Sequence, residues 1–94
     1  MQQTLIMHQS GMSVEEIVAA RSMQRPTVYS HLAQLITEDK ITNWSDLIQD
    51  YELRSVQTAK AKLGGTEELK PLFENLNGAI EYGKIRLALA VLKK

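Results

Sequence analysis

The side chains most able to do chemistry in this 94-residue chain are few and poorly arranged for catalysis. His8 and His31 are the only histidines, and neither sits in an HExxH or a Cys/His ligand spacing, so no metal site is expected. Ser30 adjoins His31, but a nucleophile needs a base oriented by a third group, and neighbours on a helix point in different directions. Glu67-Glu68 reads as a solvated pair matched to the positive end of a helix dipole. Gly64-Gly65 is not followed by Lys-Ser or Lys-Thr, so it reads as a helix stop and not as a phosphate cradle. We expect no catalytic residue, no cofactor and no enzyme activity in this chain.

The other chemistry on offer is contact with nucleic acid. Between Ser22 and Gln34 lie Gln24, Arg25, Thr27, Tyr29, Ser30 and Gln34. Arginine pairs with phosphates or guanine edges, and hydroxyl and amide side chains donate to phosphates or bases. These six are the candidate DNA contacts, with Arg25, Thr27, Tyr29, Ser30 and Gln34 expected on the outer face of one helix.

The elements that must carry them are helical, because no stretch alternates as a strand does. A short first helix spans about 3–9, with Leu5 and Ile6 inward and Gly11 beyond its end. Ser13 and Glu16 have capping-box spacing, which starts a second helix whose buried stripe is Val14, Ile17 and Val18. Pro26 suits the first turn of a third helix, with Val28, Leu32, Leu35 and Ile36 inward. The link between the second and third helices is so short that they must cross steeply, the layout of a helix-turn-helix over about 13–36. Further on, the spacing predicts helices over about 46–51 and 53–63. A helix capped by Thr66 follows, with a shifted start or a kink at Pro71, and a last helix spans about 81–93. The expectation is all-α: one small multi-helix domain over 1–94, with a second helical unit, about 46–94, packed on the helix-turn-helix.

Composition sets outer limits. Hydrophobic residues make up 44% and charged residues 23%, a globular balance, and the absence of cysteine excludes a disulfide framework or zinc finger. No apolar run approaches a membrane span, and the first residues lack the layout of a signal peptide, so the expected setting is the cytoplasm. Eleven basic residues balance eleven acidic ones. Dedicated nucleic-acid binders are usually strongly basic, so any grip on DNA must be weak or local.

The segment around Ile17-Val18, Arg21, Thr27-Val28 and His31-Leu32 resembles the helix-turn-helix at the C-terminus of bacterial RecQ-type ATP-dependent DNA helicases. The likeness extends to Ile41, to Leu69-Lys70-Pro71-Leu72 and to Ile80-Glu81-Tyr82-Gly83-Lys84-Ile85-Arg86-Leu87. Two departures are Ser22, where a turn glycine is common, and Val18, where alanine is usual. The resemblance implies a non-catalytic accessory module whose partners are DNA and the helicase motor of a longer parent chain. It carries over no catalytic residue, since no motor motif is present. The alternatives are a protein-docking module of the same fold and a transcription regulator.

Overall fold

The computed structural model describes residues 2–93, with six helices and no strand among them. They are α1 Gln2–Gln9, α2 Val14–Arg21, α3 Arg25–Thr37, α4 Asp50–Lys62, α5 Leu69–Asn75 and α6 Tyr82–Leu92. The all-α expectation holds.

Local signals account for the first half. The Ser13 hydroxyl accepts the Glu16 amide at 3.2 Å while the Ser13 amide donates to the Glu16 carboxylate at 2.8 Å, closing the capping box that starts α2. Ser22 ends α2 in the left-handed conformation, with φ 51° and ψ 40°, and its amide turns back onto the carbonyls of Val18 and Ala19. A residue with a side chain therefore occupies a backbone conformation that glycine adopts more cheaply. Pro26 lies in the first turn of α3, where its missing amide costs nothing. Val28, Leu32, Leu35 and Ile36 are buried at the spacing read from the sequence.

Three readings are corrected. In α1 Thr4 is fully buried and Leu5 packs on the core as expected, whereas Ile6 is 58% exposed. No helix forms over 46–51. Instead the chain turns back on Trp44, whose carbonyl accepts the amides of Leu47 and Ile48. That turn buries Leu47 and Ile48 and packs Trp44 against the core. The helix starts afterwards at Asp50, where the Gln49 amide donates to the Glu52 carboxylate at 3.0 Å. The third correction is Thr66, whose hydroxyl accepts the Glu68 amide in the loop before α5 rather than capping the helix. The start of α5 is indeed shifted, to Leu69, which places Pro71 at its third residue and within the first turn.

The centre of the fold is the pair α3 and α6. α1 and α2 pack on α3, and α4 and α5 pack on α6. The two central helices run in the same direction. Arg25 meets Glu81 at their starts, Gly83 lies against Tyr29, and Thr37 and Lys93 line one groove near their ends. α6 is buried on most sides, with Ile85, Leu87, Ala88, Leu89, Ala90 and Val91 all in the core. Buried residues from both halves form a single hydrophobic cluster, so the helix-turn-helix shares its core with the C-terminal helices.

Candidate nucleic-acid interface

The predicted contact residues divide into two groups. Gln24, Thr27 and Gln34 are exposed and Ser30 is half-buried, so they do form the outer face of α3. Tyr29 does not. It is 3% exposed and belongs to the core, because at its helical position it faces the same side as Val28, Leu32 and Ala33. Its hydroxyl ends among charged groups. Burial raises its pKa above the ordinary tyrosine value, and the neighbouring Glu81 carboxylate acts in the same sense.

Arg25 is also not the free outward cation its sequence position suggested. Its guanidinium spans three elements. One nitrogen lies 2.6 Å from Glu15 of α2, and another lies 3.1 Å from Glu81 at the start of α6 and 3.3 Å from the Tyr29 hydroxyl. The guanidinium carbon stands 5.4 Å from the Tyr29 ring centre, a cation–π contact. The hydrogen bonds that Arg25 donates to Glu15 and Glu81 raise its pKa further, and the bond to Glu15 holds that carboxyl below the usual range. Burial pushes Glu81 upward, but hydrogen bonds from Tyr29 and Arg25 outweigh it, and the net shift is downward. Arg25 thus clamps the helix-turn-helix to α6.

The exposed face of α3 is uncharged over its first three turns. Thr27, Ser30 and Gln34 present hydroxyls and an amide, and Gln34 donates to Glu38, one turn further on, at 3.1 Å. Beside this row lies a groove between α3 and α6. Its floor is Ala33, Leu89 and Ala90, and its rims are Ser30, Gln34 and Thr37 on one side and Arg86 and Lys93 on the other, with Glu67 and Leu69 closing the Lys93 end. Lys93 is held by Glu67 at 3.0 Å. Arg86 is exposed and makes no ion pair among the described residues. Sequence reasoning did not select Arg86, although its position next to the buried Ile85 on a helix marked it as outward.

On the opposite flank of α3, the buried Thr4 hydroxyl accepts a hydrogen bond from Arg21 at 2.8 Å and lies 3.4 Å from Nδ1 of His31. Burial lowers the His31 pKa, and the nearby Arg21 guanidinium adds to the effect. His31 therefore ties α3 to α1 and is no part of the exposed row. Among the described residues no cluster of three or more metal-ligating side chains exists, and no helix is long and apolar enough to cross a membrane.

No curated protein and no solved structure matches the chain. A family model described as a helix-turn-helix domain matches residues 1–89, almost the whole chain and all but the last turn of α6. With α2 and α3 joined by a left-handed turn at Ser22 and the family model covering nearly the whole chain, this chain belongs to the helix-turn-helix domain family.

Proposed function

We propose that this chain is a non-catalytic DNA-contacting module that lays the outer face of α3 against a duplex, with Arg86 steadying the phosphate backbone beside it. The observation that carries the reading is the outward row of exposed Thr27 and Gln34 with half-buried Ser30 between them, preceded by exposed Gln24 at the cap, side chains able to donate to phosphates and base edges on the second helix of a helix-turn-helix. The Gln34–Glu38 contact is an exposed pair four residues apart, worth a few tenths of a kcal/mol, and gives way readily to a better acceptor. Balanced charge makes such a grip weak by itself, which suits a module tethered to a larger DNA-binding machine. The resemblance to the C-terminal module of RecQ-type helicases supplies that parent. The motor would be on the same chain, and the setting would be the cytoplasm.

Fluorescence anisotropy with labelled duplex DNA at several salt concentrations tests this. Saturable binding is expected, with a log–log salt slope of roughly −1 to −3, since each neutralised phosphate contributes about −0.9. Arg86→Ala should flatten the slope by about one phosphate, and Thr27→Ala with Gln34→Ala should weaken binding at every salt concentration. Arg25→Gln should leave affinity nearly unchanged. Absence of saturable binding at low salt would replace this reading with that of a protein-docking module.

A further inference from the structure

The run from Tyr82 to Arg86 is only partly explained by the fold. Gly83 lets α6 approach Tyr29, Lys84 pairs with Glu52, and Ile85 is fully buried. Tyr82 and Arg86 remain. They lie four residues apart, hence on one face of α6 and about 6 Å apart along its axis. Both are exposed, Tyr82 to 42%, an unusual fraction for an aromatic ring that is otherwise well fixed.

The fixing comes from below. The Tyr82 ring stacks on Phe73 of α5 with centroids 4.4 Å apart and planes 11° from parallel. Phe73 in turn packs on the core and is closed in by Gly78, where a Cβ would lie 3.5 Å from the ring. Gly78 can stay there because its φ of +72° suits a residue without a side chain. A rigid aromatic surface is thus held beside a cation that has no carboxylate partner among the described residues. Arg86 also lines the groove that reaches Ser30 and Gln34 of α3, so this cation stands between the ring and the polar face described above.

A flat ring with a cation one helical turn away is complementary to a nucleotide, whose base stacks while its phosphate is neutralised. The bases inside a closed duplex have both faces covered by their neighbours and offer nothing to such a ring. We propose that Tyr82 stacks on the first unpaired DNA base while Arg86 holds the phosphate where that strand leaves the duplex, so that the module engages the point where a duplex opens into single strands. The inference rests on the reading of α3 as the duplex-facing helix.

The test compares wild type, Tyr82→Leu and Tyr82→Phe on a blunt duplex, on a fork of the same duplex with unpaired arms, and on a single strand. The fork carries 2-aminopurine at the first unpaired position. Thermal melts establish that each variant is folded; leucine retains apolar cover over Phe73 if alanine does not. Wild type is expected to bind the fork roughly tenfold tighter than the blunt duplex and to quench the 2-aminopurine by stacking. Tyr82→Phe should do the same. Tyr82→Leu should bind the fork no better than the blunt duplex and leave the probe unquenched, with blunt-duplex affinity unchanged. Equal wild-type affinity for fork and duplex, or a fork preference that survives Tyr82→Leu, would overturn the proposal. Tyr82-dependent binding of the single strand without any binding of the blunt duplex would instead overturn the role of α3 and leave this site standing.

Discussion

Gly83 and Tyr29 are packed so closely that a Cβ on the glycine would lie 2.2 Å from the tyrosine Cδ2 and 2.5 Å from its Cγ. The ring is buried and held by its own helix, so it has nowhere to move. Gly83→Ala should therefore destabilise the protein even though alanine is the better helix former by about 1 kcal/mol. Overpacking of this kind costs about 1–3 kcal/mol, and urea denaturation should show the net loss. A midpoint at or above that of wild type would mean that α6 does not approach α3 as described.

The opposite sign is expected at Ser22. Its left-handed backbone carries a penalty of about 1–2 kcal/mol for a residue with a Cβ, partly offset by the greater unfolded-state freedom of glycine. Ser22→Gly should raise stability by about 0.5–1 kcal/mol. A calorimetric melt several degrees higher would confirm it, and a lower one would show that the hydroxyl has a role of its own.

Glu52 is buried, with its side chain 6% exposed, and Lys84 reaches its two oxygens at 3.0 and 3.3 Å. Removing the lysine leaves a carboxylate held mainly by the Gln49 amide. Lys84→Met should cost about 2–4 kcal/mol, while the double change Lys84→Met with Glu52→Gln should recover part of the loss, because an uncompensated buried charge is the expensive state. The comparison is made by denaturant titration at neutral pH.

The Arg25 clamp predicts a response to acid. Glu15 and Glu81 have folded-state pKa values below their ordinary value of 4.5. For depressed carboxylates the contribution to stability is complete above the unfolded value and is lost as the pH falls through the folded one. Stability should thus drop below about pH 4.5. Arg25→Met should remove part of that dependence. All three side chains are more than a third exposed, so the part removed should be no more than on the order of 1 kcal/mol. Denaturation midpoints at pH 7 and pH 3 for both proteins give the answer.

What could be read in advance was what depends on neighbours in sequence. Ser13 and Glu16 are three apart, and Val28, Leu32, Leu35 and Ile36 repeat at helical spacing, so the boundaries and buried stripes of α2 and α3 were legible. The start of α4 was not, because Gln49 is an uncommon cap and the apolar residues before it serve a turn. The candidate site was half legible. Thr27, Ser30 and Gln34 lie outward by helical period alone. Arg25 was misread because its second carboxylate, Glu81, is 56 positions away, and Tyr29 because its polar tip resembled a surface group. Only the meeting of α3 with α6 brings Arg86 beside Ser30.

That same meeting has a consequence for biosynthesis. The buried side of α3 is completed by residues 83–91, which leave the ribosome after every residue of the helix-turn-helix has been made. α3 is then seated only when α6 arrives, so premature termination anywhere before α6 yields a chain with exposed leucines and isoleucines.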